Sequence, residues 1–134
     1  MRFLLLLLLS TVSCVNASAI PRVPAEQASW FKFPRHFPDE ERQSIPGPLA
    51  AAISLAMEDF HPQGRWRQDA SDMMAACLAQ RASYDVIAFP GPEDQVFVRI
   101  SLAPGACQEE GPLLDVGATY AVDVRQGLIL AVQQ

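Results

Sequence analysis

The segment Gln95-Val-Phe-Val-Arg-Ile-Ser-Leu102 carries the clearest structural pattern in the chain. Every second side chain in it is aliphatic, and these are Val96, Val98, Ile100 and Leu102. Because successive side chains of a β-strand point to opposite faces, this pattern predicts a strand with one buried aliphatic face. Phe97 and Arg99 then lie on the opposite face, which is mixed in character.

Strand-like segments also lie on either side of this one. Tyr84 to Phe89 precedes it across residues 90–94, whose sequence Pro-Gly-Pro-Glu-Asp predicts a turn. A loop rich in Pro and Gly follows it, from Ala103 to Pro112. Thr119 to Val124 and Leu128 to Val132 then predict a hairpin, in which Gly127 suits the left-handed position of a three-residue connection.

Two helices are predicted before these strands. Pro48 suits a first helical turn, where its missing amide costs nothing. The apolar residues that line one face at helical spacing are Leu49, Ile53, Ala56, Met57 and Phe60. A shorter helix is predicted with Ser71 as N-cap and Asp72 in its first turn, ending near Arg81. Its buried residues would be Met74, Cys77 and Leu78.

Helices followed by strands predict an α+β fold. We expect two helices packed on one face of a roughly four-stranded antiparallel sheet, formed by residues 46–134. A Pro-rich extended arm over residues 20–45 precedes this domain.

The N-terminus has the pattern of a secretory signal peptide, which predicts an exported protein, periplasmic or extracellular. Arg2 is followed by the run Leu4 to Leu9 and by the small residues Ala17-Ser-Ala19. This is a short cationic region, an apolar region too short to span a bilayer, and a cleavage site, so residues 1–19 are expected to be removed. Thr11-Val-Ser-Cys14 is also similar to a bacterial lipobox, so lipidation of Cys14, and with it a membrane anchor, is the alternative.

Charge and cysteine content narrow the classes of protein further. The net charge is −5, and removing Arg2 with the signal makes the mature domain more acidic. An acidic domain gains nothing from neutralising phosphates, which argues against a nucleic-acid partner. Cys77 and Cys107 are the cysteines left after processing. In an oxidising compartment such a pair is more often a disulfide than a reactive site, so we predict a Cys77–Cys107 bridge.

The arm combines helix-breaking prolines with large aromatic side chains. Proline lacks an amide donor and fixes φ, so this stretch suits neither a long helix nor a central strand. Its aromatic residues are Trp30, Phe31, Phe33 and Phe37, interleaved with Lys32, Arg35 and His36. Large aromatics usually pack into a core, so we expect them to fold back onto the domain. The alternative is a contact arm that binds a partner through Trp30, Phe33 and Arg35.

No familiar catalytic or metal-binding motif is present in the sequence, and we predict neither a cofactor nor a metal. Glu58 and His61 have the spacing of a helical metal pair, but a di-metal site needs a second pair. A small hydrolase would have to use His36 or His61, together with a nucleophile or with Asp85 or Asp123. The two aspartates are expected on the solvent face of the sheet.

The ending Tyr120-Ala-Val-Asp-Val-Arg-Gln-Gly-Leu-Ile-Leu130 resembles the final hairpin of PepSY-type exported domains. The whole chain is similar to small signal-bearing bacterial lipoproteins of unknown function. PepSY-like domains are regarded as non-catalytic binding or inhibitory modules, so the resemblance implies binding. A helix-on-sheet shape of the cystatin or NTF2 type is equally compatible with the pattern, and fold alone does not settle function.

Three functional hypotheses therefore stand. The first is an exported binding or inhibitory module, which includes an immunity-like protein, acting on a protein or envelope partner. Trp30, Phe33, Arg35, Phe97 and Arg99 are its candidate contact residues, because aromatic and Arg side chains most often anchor interfaces. The second is the small hydrolase using His36 or His61, and the third is a structural envelope protein.

Overall fold

The computed structural model describes residues 20, 22–40, 42–62, 72–108 and 116–134. The predicted signal at residues 1–19, the lipidation candidate Cys14 and the predicted cap Ser71 lie outside these ranges. The chain forms two compact units, Met1–Phe33 and Pro34–Gln134. No described helix is both long and apolar enough to cross a bilayer.

The second unit has the predicted α+β fold, built on a four-stranded antiparallel sheet. The strands are β1 (Tyr84–Pro90), β2 (Gln95–Leu102), β3 (Gly117–Asp123) and β4 (Leu128–Gln133). Their order in the sheet is the same as their order along the chain. Each strand therefore pairs with its neighbour in sequence, and β2 and β3 occupy the centre of the sheet.

One face of the sheet is buried, and it is the face that the alternation in β2 predicts. Val98 pairs with Ala88 of β1 and with Tyr120 of β3, and the rows on either side of it are also apolar. The buried sheet residues are Tyr84, Val96, Val98, Ile100, Ala118, Tyr120 and Val122. The core thus lies against the two central strands, with Tyr84 extending it to β1.

The long helix α2 (Gly47–Phe60) covers this face and packs mainly on β1, β2 and β3. It begins as predicted, with a proline at its N-terminal end. Ala52, Ala56 and Met57 are its buried residues, and Leu49, Ile53, Leu55 and Phe60 pack around them. The small side chains at 52 and 56 let the helix backbone approach the sheet closely, which accounts for their complete burial.

A second helix and a disulfide close the end of the sheet where β1 begins. The helix α3 (Met73–Leu78) is followed by a 3₁₀ turn at Arg81–Ser83. Its cap is Asp72, whose carboxylate accepts a hydrogen bond of 3.0 Å from the backbone amide of Met74. The prediction placed Asp72 inside the first turn, one residue too far into the helix. Met74, Cys77 and Leu78, which were predicted to be buried, are half-buried.

The predicted Cys77–Cys107 disulfide is confirmed, with 5.5 Å between the two Cα atoms. Two side-chain hydrogen bonds hold the same region together. The Ser83 hydroxyl donates to the Cys77 carbonyl at 2.7 Å, and the Tyr84 hydroxyl donates to the Leu78 carbonyl at 2.9 Å. The disulfide therefore joins the end of α3 to the loop that follows β2.

The hairpin connections use left-handed backbone conformations. Between β1 and β2, Glu93 and Asp94 have φ values of 52° and 63°. Between β3 and β4, Gly127 has a φ of 66°, as predicted, and the bounds of the strands leave the four residues 124–127 in this turn. Glycine adopts this conformation without strain, whereas Glu93 and Asp94 do not.

Among the described residues of the first unit, Ala25–Ala28 form one short helix, α1, within the segment expected to be extended. Trp30 and Phe33 of this unit are 78% and 84% exposed, and Phe31 and Phe37 are exposed as well. Phe37, which belongs to the second unit, therefore does not enter the core as expected, whereas for Trp30, Phe31 and Phe33 the expectation stays a prediction. The prolines near α1 permit one helical turn because Pro24 serves as its N-cap, where no amide donor is needed.

Candidate functional site

The face of the sheet opposite α2 is the strongest candidate for a functional surface, and we call it the open face. Cross-strand partners share a face, so the registers of the three strand pairs define its members. They are Asp85, Ile87 and Phe89 of β1, Gln95, Phe97, Arg99 and Ser101 of β2, Gly117, Thr119, Ala121 and Asp123 of β3, and Leu128, Ala131 and Gln133 of β4. Phe97 and Arg99 thus lie where the sequence placed them.

An aromatic pair forms the apolar part of the open face. Phe89 and Phe97 are direct cross-strand partners, and their rings stack with centroids 5.2 Å apart. The same row continues through Ala121 and Ala131, which are small and leave the ring of Phe97 standing above the sheet. Such aromatic pairs stabilise a sheet and also present a flat apolar surface.

The chain supports this pair from the adjoining turn. A Cβ atom added to Gly91 would come within 2.6 Å of Cε2 of Phe97. The ring therefore lies directly against the backbone of Gly91, which only glycine permits without moving the ring. The stacked pair is positioned by Gly91 on one side and by its register with Phe89 on the other.

The apolar part of the open face is exposed. Ile87 is 60% exposed and Phe89 is 55% exposed, although both lie in a regular strand. Leu128 of β4 lies on the same face and is exposed too. Clusters of exposed apolar side chains of this kind, surrounded by polar residues, mark interaction sites more often than scattered single residues do.

A groove lies beside the aromatic pair, and Arg99 is one of its lining residues. It has a volume of about 450 Å³ and is lined mainly by open-face residues, including Ile87, Ser101, Thr119 and Gln133. Thr119 is the direct partner of Arg99 on β3, and Gln133 is in turn the partner of Thr119 on β4. The groove therefore crosses the sheet from β1 to β4.

Gly117 contributes its backbone, without a side chain, to the lining of the groove. A Cβ atom there would come within 2.6 Å of the carbonyl oxygen of Ile100, so no larger residue fits between the two strands. The glycine leaves Ser101, its direct partner on β2, uncovered on the open side. The backbone thus contributes to the shape of the groove as much as the side chains do.

The charges on the open face are distributed unevenly. Within the described ranges, the salt bridges are Arg42–Asp39, Arg81–Glu58 and Arg125–Asp94, and Arg99 takes part in none of them. Asp123 accepts hydrogen bonds from the backbone amide and the side-chain amide of Gln126, both at 2.9 Å. Arg99 is therefore the exposed cation of the groove, whereas Asp123 is occupied by the β3–β4 turn.

His61, the buried candidate of the hydrolase hypothesis, lies on the other side of the sheet at the end of α2. It is 5% exposed and its ring contacts those of Phe60 and Tyr84, at centroid distances of 5.0 and 5.1 Å. Burial lowers the pKa of His61 below its ordinary value, and the nearby Arg81 guanidinium lowers it further. This environment favours the neutral imidazole.

Arg81 connects His61 with Glu58. Its guanidinium donates to the backbone carbonyl of His61, with a 3.0 Å bond from Nε, and forms a 2.6 Å salt bridge with Glu58. The Glu58–His61 pair considered as a metal site is thus joined to a cation. No group of three or more metal-ligating side chains occurs in the described part of the chain.

The remaining predicted residues lie in the N-terminal segment. Trp30 and Phe33 are exposed in the first unit, and Arg35 and His36 are exposed at the start of the second. The structure brings Phe97 and Arg99 together in one surface, and it leaves the contact role of the arm residues a prediction. Ile87 and Phe89 were not among the predicted contact residues. Alternation along Tyr84 to Phe89 could have placed both on one face of β1, but only the register, in which Pro90 pairs with Val96, places Phe89 opposite Phe97.

Comparison of the chain with protein families, with curated proteins and with solved structures gives no match. The resemblance to PepSY-type domains concerns the second half of β3, the turn that follows and the first half of β4. It stays a prediction based on those residues.

Proposed function

We propose that this protein is an exported binding or inhibitory module of the cell envelope and that it acts through the open face of its sheet. One observation supports the proposal above all others. Exposed apolar side chains, a stacked aromatic pair and an exposed arginine lie together on the face that α2 leaves uncovered. Export follows from the signal-like pattern of residues 1–19 and is part of the proposal.

The composition of the face supports binding to a macromolecule. Aromatic and Arg residues are the types that most often dominate the energy of protein interfaces. The rings of Phe89 and Phe97 already stack on each other, so binding a partner would cost little additional entropy for ordering them. A protein segment that covers both rings would also bury Ile87, which lies next to Phe89 on the face.

Two other hypotheses remain beside the binding module. One is a small hydrolase that uses His36 or His61, and the other is a structural envelope protein. For a hydrolase, His61 would have to reach substrate from its position between Phe60 and Tyr84, which requires the end of α2 to move. A structural protein would not need the open face to bind a specific partner. Neither alternative explains why Ile87 and Phe89 are exposed beside the stacked ring of Phe97.

Site-specific photocrosslinking in the producing cell tests the proposal. A photoreactive phenylalanine analogue at position 89 should crosslink to a defined protein partner in the envelope fraction. The same analogue at Met73, which is exposed on α3, is the matched control and should give no such product. The crosslink at position 89 should also decrease at least tenfold when Phe97→Ala is introduced, because one truncated hot spot costs about 2 kcal/mol or more.

A second arm of the experiment tests the N-terminal residues. Trp30→Ala, Phe33→Ala and Arg35→Ala should each weaken the crosslink if the arm contributes to the same interaction. Circular dichroism of every purified variant must show an intact fold. Equal crosslinking at positions 89 and 73 would contradict the proposal, and so would hydrolysis of a substrate that depends on His36 or His61.

A further inference from the structure

We propose that the open face recognises a carboxylate together with a neighbouring apolar side chain on its protein partner. The carboxylate binds at Arg99 in the groove, and the apolar side chain packs on Phe89 and Phe97. This inference rests on the proposed function and specifies the chemistry of the partner.

Charge complementarity in the groove identifies the carboxylate. The polar groups of its lining are the Arg99 guanidinium, the hydroxyls of Ser101 and Thr119, and the amides of Gln133 and Gln134. None of the residues that line the groove has an acidic side chain, although Asp85, the partner of Ser101 on β1, lies beside it on the same face. A guanidinium presents N–H groups in a planar fork that matches the two oxygens of a carboxylate, and hydroxyls and amides can donate further hydrogen bonds.

The number of cations in the groove and the net charge of the chain limit how much negative charge the ligand can carry. Arg99 is the only cation among the lining residues, and the chain as a whole has a net charge of −5. A phosphate dianion would need more than one cation and would be repelled by the acidic protein, whereas a monoanionic carboxylate is neutralised by one guanidinium. We therefore assign the groove to a carboxylate.

The distance between Phe97 and Arg99 determines how far apart the apolar side chain and the carboxylate of the ligand should be. Phe97 and Arg99 are successive residues on the same face of β2, so their Cα atoms are about 7 Å apart. In an extended peptide the same distance separates side chains at positions i and i+2, or a side chain from the terminal carboxylate of an adjacent residue. The partner segment thus carries an apolar side chain within one or two residues of its carboxylate.

Small probes can test this chemistry directly on the oxidised protein. The probe is 3-phenylpropionate, which carries a phenyl ring close to a carboxylate, and the matched control is 3-phenylpropanamide, which lacks the charge. In a ¹H–¹⁵N NMR titration, 3-phenylpropionate should shift the amide signals of Phe97, Arg99 and Thr119. The amide should bind at least tenfold more weakly, and phenyl phosphate should not bind more tightly than the carboxylate.

Variants connect the binding to the groove. Arg99→Gln keeps a polar side chain of similar length and should reduce the affinity for 3-phenylpropionate at least tenfold. Arg125→Gln removes an exposed arginine that is paired with Asp94 at the hairpin turn, and it should leave that affinity unchanged. Phe97→Ala should weaken the carboxylate and the amide probes equally, since it removes the apolar contact.

Three results would overturn the inference: no binding of 3-phenylpropionate, binding unchanged in Arg99→Gln, or tighter binding of phenyl phosphate. The photocrosslinking experiment separates this failure from failure of the proposed function. A partner crosslinked at position 89 and lost with Phe97→Ala, but retained at full yield in Arg99→Gln, supports the open face as the binding surface and contradicts the carboxylate.

Discussion

The hydroxyl of Tyr120 on β3 donates a 3.2 Å hydrogen bond to the carboxylate of Asp59, one residue before the end of α2. Tyr120 is buried in the core, so this bond links the helix to the central strand at the edge of the apolar contact. Burial raises the pKa of Tyr120 to about 12, and the charge of Asp59 and the hydrogen bond to it act in the same direction. The phenol is therefore kept protonated as a donor.

Tyr120→Phe should lower the free energy of unfolding by about 1.5–3 kcal/mol, because it removes a hydrogen bond to a charged acceptor and leaves the ring in place. Urea unfolding at pH 7 measures the change. Asp59→Ala in the Tyr120→Phe background is the control and should add little, since the two residues form one interaction. Full additivity of the two substitutions would contradict the bond.

The raised pKa of Tyr120 also predicts how the stability of the protein changes at alkaline pH. The pKa of Tyr120 is raised in the folded state, so its contribution to stability is complete below its ordinary value of 10 and is lost as the pH rises toward about 12. The stability of the wild type should therefore fall more steeply between pH 10 and 11.5 than that of Tyr120→Phe. Parallel curves for the two proteins would contradict this assignment.

The lowered pKa of His61 predicts that the stability of the protein depends on pH in the acid range. Its pKa is lowered below 6.5 in the folded protein, mainly by burial and then by Arg81. Stability from a lowered pKa is present above the ordinary value and decreases as the pH falls through the folded value. Between pH 8 and 5 the wild type should lose more stability than His61→Phe, which retains an aromatic ring at this position. An equal slope in both proteins would show that His61 is not responsible.

Removing the disulfide should destabilise the protein by about 3–4 kcal/mol, because the bridge spans 30 residues and restricts the unfolded chain. Cys77→Ala, Cys107→Ala and the double variant should all show the same loss in urea unfolding. Reduction of the wild type with dithiothreitol should reproduce it, whereas the variants should not respond to the reductant. A response of Cys77→Ala to dithiothreitol would contradict the pairing.

The β1–β2 turn contains a residue whose replacement should stabilise the protein. Glu93 has a φ of 52°, which is strained for a residue with a Cβ atom. Glu93→Gly should raise the free energy of unfolding by about 0.5–1 kcal/mol, after allowing for the greater entropy of glycine in the unfolded chain. Glu93→Ala retains the strain and is the matched control, which should show no gain in thermal unfolding.

Gly117 on the open face and Gly91 in the β1–β2 turn should differ in the consequences of substitution. In Gly117→Ala the new Cβ would meet the backbone oxygen of Ile100, which cannot move without disturbing the sheet, so a loss of about 1–3 kcal/mol is expected. In Gly91→Ala it would meet the ring edge of Phe97, which can rotate away. Gly91→Ala should remain stable and lose crosslinking at position 89. Equal stability of the two variants would contradict the argument.

Much of the sheet could be predicted from the sequence, because strand alternation is a local pattern. The bounds of β2 agree with the prediction, and β1 and the final hairpin agree within two residues at their ends. The cap of α3 was less certain, since Ser71 and Asp72 are adjacent and both residue types cap helices. The short helix α1 could not be predicted, because one exposed turn has no apolar periodicity to reveal it.

The candidate site was predictable in part for the same reason. Alternation in β2 placed Phe97 and Arg99 on one face, but it could not show which other strands contribute to that face. The stacking of Phe89 depends on the exact length of the β1–β2 turn, and the role of Gly91 depends on the position of a ring in space. The burial of aromatic residues in the N-terminal arm was predicted from residue type alone, and residue type does not determine whether a chain segment returns to the core.

The position of the disulfide determines what must happen before it can form. Cys77 and Cys107 flank the β1–β2 hairpin, and Tyr84 and Leu102 form the last pair of that hairpin at the end where the cysteines lie. The backbone amide of Ala103 donates a hydrogen bond of 2.9 Å to the carbonyl of Ser83, which extends the contact between the two chain segments toward the cysteines. Pairing of β1 with β2 therefore brings the two chain segments that carry the sulfur atoms to the same end of the hairpin. Oxidation in the native pairing thus records a formed hairpin, which links the covalent maturation of the protein to the strand pair that carries Phe89, Phe97 and Arg99.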